Sequence, residues 1–358
     1  MNQKGFSAYT TITFILLIVI VFCLCFSACN IQKPLPDYDK KRNCYPVEIG
    51  DGPEDFVLDK WHNAPRLLIS SHERREPARY GEIYSFDLNT GYSEKMIRTG
   101  EPDTLASFKP HGMDIRHEDG KTFLYVILHD PYNRSVREEN GISIYQVLEQ
   151  TLHFIEMLED KTFLWSPNDI SVLDSGEIYA TNDYRSEFDI YLRKETSEIA
   201  YYSVREKKWS AVARDISFAN GILAMPDRVY VAATRSDRLI EYPRKSDGSL
   251  GTGKELLEMK GLDNIMPFGK KLLVAAHFDD WAFYRHHKNS KNLSPSVVFL
   301  IDPDSSAPDE TKKVIYADEG GQISAASTAF IYKGRLYISQ VFDSKILVCD
   351  AMDLEKAE

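Results

Sequence analysis

Four pairs carrying side-chain oxygens, Glu54-Asp55, Asn168-Asp169, Asn220-Gly221 and Asp263-Asn264, each head an apolar stretch where a strand would ordinarily take hydrophobic residues. Carboxylates and amides are hard donors, and a calcium ion takes roughly six to eight such oxygens. Brought together, these residues would hold a divalent cation. Taken one at a time they read as turn formers, because Asn-Gly and Asp-Asn pairs bend a chain readily. Two histidines add proton chemistry. His111 heads a further stretch of the same kind, and His129 ends the strand-like run Tyr125 to Leu128. Imidazole titrates near neutrality and can take a proton from water, although His111 also reads as a buried structural histidine. The chain has no glycine-rich phosphate loop and no Gly-x-Ser-x-Gly nucleophile turn.

Six elements must position these residues. The pattern is a polar pair, an apolar stretch, a turn and a Leu/Val/Tyr strand, and it starts at Glu54, His111, Asn168, Asn220, Asp263 and Thr328. The steps between starts are 57, 57, 52, 43 and 65 residues, the length of a four-stranded propeller blade. The reading is all-β, a six-bladed β-propeller with four-stranded blades, and helical periodicity is not sustained anywhere in it. In such a ring the inner strands line a central channel, so the polar pairs become neighbours although they are far apart in sequence. Oxygens from four blades then face one mouth.

The cysteines point to the seam. Cys349 lies in the third strand of the last repeat, and Cys44 opens a stretch able to supply that blade's fourth strand. A disulfide between them would close the ring with N- and C-terminal strands of one blade. Two unpaired buried thiols are the alternative. Ahead of the ring, Lys4 precedes an apolar run from Ile12 to Phe26 that ends in Ser27-Ala28-Cys29, the layout of an export signal. Lipidation at Cys29, a retained signal anchor, and cleavage to a free form all place the ring outside the cytoplasm. The first two tie it to a membrane. The expected division is a signal at 1–28, a tether at 29–43, the propeller at 44–350 and a tail at 351–358. A net charge of −11 disfavours nucleic acid as a partner, and no obligate protein partner is evident.

At these residues the sequence resembles the paraoxonase and arylesterase family. The stretches that carry the likeness are Pro110-His111-Gly112, Pro167-Asn168-Asp169-Ile170, Thr181-Asn182-Asp183, Phe218-Ala219-Asn220-Gly221-Ile222, Asp263-Asn264-Ile265 and Tyr332-Lys333-Gly334, in order and between the two cysteines. The resemblance implies two calcium ions. A catalytic one would be held by Glu54, Asn168, Asn220, Asp263 and Asn264, and a structural one by Asp55, Asp169 and the backbone carbonyl of Met113. It further implies hydrolysis of lactones or aryl esters, with His111 and His129 activating water and Asp263 as a rival base. A gluconolactonase-like sugar-lactone hydrolase and a non-enzymatic ligand-binding propeller are the alternatives. His277 is expected to line the channel, and Asp183 either to bond a histidine or to cap backbone. Two segments depart from the family: Ser71 to Tyr80, short and basic, and Tyr184 to Ala200, too charged for an apolar lid. A smaller or more polar substrate is the expectation that follows.

Overall fold

The computed structural model describes residues 34–38, 41–76 and 78–355. The signal segment and the Cys29 site lie outside the described residues. Six antiparallel sheets succeed one another along the chain. Their inner strands are Pro53–Asp59, Pro110–Glu118, Pro167–Val172, Ala219–Ala224, Leu262–Phe268 and Ala326–Tyr332. Each touches the next, and the last touches the first, so the ring is closed. This is the six-bladed propeller that the repeat predicted. The second blade carries an additional strand, Ile97–Thr99, pairing in parallel with Thr151–Glu159.

The second strand of each blade is apolar on both faces because it is sandwiched between neighbouring blades. Leu67, Leu68 and Ile69 are fully buried, as are Val229, Tyr230 and Val231 in the fourth blade. Between the first two blades, Val57, Leu68 and Ile83 pack against Met113, Leu124 and Val126. Burying side chains of this size stabilises a fold by about 1.5–3 kcal/mol each, and the pattern recurs at every blade junction. Ala351 and Leu354, beyond the last strand, are also buried in the sixth-blade core.

Every inner strand has an irregularity at its polar pair. The pairing with the second strand shifts register between Pro53 and Asp55, Pro110 and Met113, Pro167 and Ile170, Ala219 and Ile222, Leu262 and Ile265, and Ala326 and Ala329. A bulge of this kind re-aims side chains and interrupts the ladder, so at the hub two successive polar residues both turn away from the blade core. Short helices interrupt the blades at the same mouth. Helix α1 (Glu187–Tyr191) follows the second strand of the third blade, and α2 (Asp280–Lys288) that of the fifth. Asp279 caps α2 by accepting the N–H groups of Trp281 and Ala282.

The ring closes on Cys44–Glu48, which pairs with Lys345–Asp350 as fourth strand of the sixth blade. Cys44 sits opposite Cys349 in that register, and the two form a disulfide across 305 residues of sequence. Chain entropy assigns up to about 5 kcal/mol to a loop of that length. We expect Cys44→Ser to lower the thermal midpoint clearly in oxidising buffer. In reductant, wild type and variant should melt together; a persistent gap would assign the loss to packing.

Candidate active site

The mouth of the channel is a cavity of about 730 Å³, and Glu54, His111, Asn168, Asn220 and Asp263 from five blades line it together with His277. Asn264 joins them one residue on, donating its Nδ2 to Glu54 Oε1 at 3.1 Å and to Thr328 Oγ1 at 2.9 Å. Asp55 and Asp169 lie buried beside this group. Asp55 Oδ2 accepts the Met113 N–H at 2.7 Å, and Asp169 Oδ2 accepts the Ile222 N–H at 2.8 Å, so each carboxylate links its blade to the next. The sequence-predicted oxygen donors are therefore neighbours.

Glycines allow this closeness. A Cβ on Gly112 would stand 2.6 Å from the Asn168 carbonyl oxygen, and one on Gly221 2.4 Å from that of Asp263. Each glycine follows the first polar residue of its blade and faces the next blade's polar pair. The hub is thus narrower than any side chain there would permit.

Electrostatics define what the site lacks. Burial raises the Glu54 pKa; Arg74 offsets part of that rise, and the charge of Asp263 adds to it. Burial also raises Asp55 and Asp169 well above the usual carboxylate range, and their neighbours add to it, Glu54 acting on Asp55 and Asp55 on Asp169. Three amide oxygens, Asn168 Oδ1, Asn220 Oδ1 and Asn264 Oδ1, are buried without a hydrogen-bond partner. An unpaired buried carbonyl costs about 1–3 kcal/mol. Crowded carboxylates and orphaned amide oxygens in one place fit a hard cation. Among the described residues no group of three or more His, Cys, Asp or Glu is arranged to hold a metal ion.

The histidines form a chain. His111 Nδ1 lies 2.8 Å from His129 Nε2, and His129 Nδ1 lies 3.0 Å from Asn140 Oδ1. Asn140 uses its Nδ2 on the carbonyls of Arg137, Leu164 and Trp165. Burial holds His111 well below its ordinary pKa, with the charge of Arg74 adding to it, and holds His129 at about 4. His277 Nδ1 stands 3.3 Å from Asp263 Oδ2. Asp183 accepts from Ser166 Oγ and the Tyr184 N–H, with Asn168 Nδ2 at 3.5 Å. Arg137 Nη2 lies 3.8 Å from its Oδ1, and among the described residues no hydrogen bond joins Asp183 to a histidine, so of the two expected roles it is the backbone cap, at the Tyr184 N–H, that the structure shows.

Four contributors were not singled out in the sequence. Ser327 donates to Glu54 Oε1 at 2.6 Å, Ser339 to the Glu54 carbonyl at 2.7 Å, Asn140 orders the histidines, and Arg74 reaches Glu54. Ser327 adjoins the sixth polar pair and so had a positional signal. The others sit in a second strand, a third strand and a loop, outside the repeating polar pairs. In the Tyr184 to Ala200 stretch Phe188, Tyr191 and Leu192 are exposed, Tyr191 at the edge of the cavity, while Lys194 pairs with Asp189 at 3.5 Å. Aromatic rings wall the cavity, among them Tyr184, Phe218, Phe283 and Phe342, so the cavity is neither small nor mainly polar.

Comparison with known proteins agrees with this geometry. The Arylesterase family matches residues 72–351. Serum paraoxonase/arylesterase 1 of Rattus norvegicus is 30% identical over 289 residues, 77% of this chain and 78% of its own. Serum paraoxonase/lactonase 3 of Homo sapiens is 28% identical over 287 residues, 76% and 78% of the two chains. Among solved structures, a luciferin-regenerating enzyme superposes with TM-score 0.56 at 11% identity, covering 86% of this chain and 95% of that one, a likeness of fold.

The hub glycines supply a test. Gly221→Ala should cost about 1–3 kcal/mol in thermal or denaturant unfolding, the range for overpacking. Gly251→Ala, whose Cβ would meet only Pro243 at 3.4 Å, should change stability little. Equal effects would show that the hub tolerates expansion.

Proposed function

Since the chain belongs to the arylesterase family, we propose that it is a carboxylic ester hydrolase that opens lactones or cleaves aryl esters, with calcium at its hub. The observation that carries this reading is the meeting, on one cavity, of a neutral histidine and the partnerless amide oxygens of Asn168 and Asn220, with that of Asn264 next to Asp263 behind them. Glu54, Asn168, Asn220, Asp263 and Asn264 would hold the catalytic ion; Asp55, Asp169 and the backbone of Met113 would hold a structural one. When bound, calcium polarises the substrate carbonyl and stabilises the negative charge that grows on its oxygen.

The protein's own part is the proton. Because Asn140 spends its amide hydrogens on three carbonyls, its Oδ1 is left to accept the Nδ1–H of His129. His129 Nε2 is then bare and accepts the Nδ1–H of His111. His111 is left with a lone pair on Nε2, the atom 3.7 Å from Glu54 Oε2. Burial keeps both rings uncharged near neutral pH, so the base is in its accepting form. His111 takes a proton from water at Nε2 as the oxygen forms its bond to the carbonyl carbon. Its Nδ1 proton shifts toward His129. The C–O bond to the leaving oxygen breaks, and that oxygen takes the proton back from His111.

The aromatic wall suits an aryl or alkyl portion of the substrate more than a polyhydroxylated sugar lactone. Tyr184 and Phe218 stack at 5.5 Å between ring centres and form one side of it. A ring that only bound ligands would need no histidine held in one tautomer. An exported location belongs to the same proposal, with the chain tethered at Cys29 or by a signal anchor. Supporting it are the oxidised cysteine pair and relatives named as serum proteins.

Phenyl acetate and a panel of aliphatic lactones should be hydrolysed, and a calcium chelator should abolish turnover. Asn168→Ala should do likewise. His111→Gln should lower kcat by about 10²-fold or more with the ring still folded by circular dichroism. Full turnover by metal-stripped, folded protein would sink the reading.

A further inference from the structure

Among the described residues Arg74 is the cation that faces the carboxylates of the hub, and its attachment is unusual. Arg74 lies in the basic segment after the strand Arg66–Ser71, with only 15% of its side chain exposed. Its Nη1 donates to the carbonyls of Gly52 at 3.1 Å, His72 at 3.2 Å and Val341 at 3.5 Å, three separate stretches of backbone. Its Nη2 faces Glu54 Oε2 at 3.5 Å. The guanidinium is therefore fixed by backbone and merely aimed at the carboxylate. Other cations around the cavity are engaged elsewhere: Arg235 pairs with Asp280 at 2.6 Å, and Lys288 lies over the Tyr284 ring at 5.5 Å. The field of Arg74 also reaches Asp263 and Asp55.

Two consequences follow from charge alone. With no divalent ion present, Arg74 offsets part of the repulsion among Glu54, Asp55 and Asp263, which burial would otherwise make severe. With an ion present, a fixed positive charge a few ångströms away opposes it, and in a poorly screened interior that opposition is large. We propose that Arg74 is the counter-cation of the hub, holding the carboxylates together before calcium arrives and setting how tightly calcium is taken. The inference rests on the calcium reading above and adds to it a residue that tunes affinity without being a ligand.

The test is calcium titration calorimetry on the full chain after chelation, with thermal unfolding in chelator beside it. Arg74→Met should bind calcium about tenfold or more tightly than wild type. It should melt lower than wild type in chelator, and the gap should narrow at saturating calcium. Arg74→Lys should keep wild-type affinity within about threefold, because it keeps the charge. Should Arg74→Met fold only when calcium is supplied, the stabilising role is borne out in its strongest form; failure to fold even then overturns it. Unchanged or weaker calcium binding by a folded Arg74→Met overturns the inference alone. Wild type that takes up no calcium overturns the underlying reading as well, so the two failures are told apart.

Discussion

Mutual repulsion among buried carboxylates is the constraint around which this ring is organised. Closing six blades brings Glu54, Asp55, Asp169 and Asp263 to the hub, all nearly sealed from water. No arrangement of apolar packing removes that cost, since transfer of charge from water is unfavourable unless partners are supplied. The hub supplies them in layers. Backbone N–H groups of Met113 and Ile222 meet Asp55 and Asp169, hydroxyls of Ser327 and Thr328 meet Glu54 and Asp55, and one guanidinium stands at the rim. Three amide oxygens remain unanswered. The deficit is one of positive charge and of acceptors' partners together, which is the signature a hard cation would satisfy.

The hydrogen-bonded pair of histidines is held by a similar device. Hydrogen-bond direction is transmitted inward from the backbone: three carbonyls orient Asn140, Asn140 orients His129, and His129 orients His111. Because the second blade presents His111 where four other blades present a carboxylate or amide, the proposed base would stand beside the oxygen cluster without crowding another anion into it. One position in the repeat thus hosts two chemistries.

Much of this was legible from the residues. The blade period, the seam and the convergence of Glu54, Asn168, Asn220, Asp263 and His111 all follow from a repeat in which polar residues head apolar strands. What the sequence concealed depends on backbone detail. The bulges at the polar pairs explain why both members of a pair, such as Asp263 and Asn264, serve the hub although a regular strand would send one of them into the blade. Gly112 and Gly221 looked like ordinary turn glycines, and their role appears only when the facing blade is in place. Arg74 was visible as part of a basic loop, but loop charge carries no address until the loop is folded over the cavity. Asn140 heads a third strand, directly after the charged run Arg137-Glu138-Glu139, and lies outside the repeating polar pairs, so its place behind the histidines appears only in the fold.

The manner of closure bears on biogenesis. The strand Cys44–Glu48 finds its partner Lys345–Asp350 only after nearly all of the chain between them has been made. Until then both partners present unpaired ladder groups to whatever is nearby, and pairing at such sequence distance is slow because loop entropy must be met first. A nascent chain emerging on the far side of a membrane would therefore spend its riskiest interval as an open fan, competent to add a strand from a sister molecule. Capture of the two ends is thus among the last pairings the fold can make, and the disulfide holds that late pairing once it has formed.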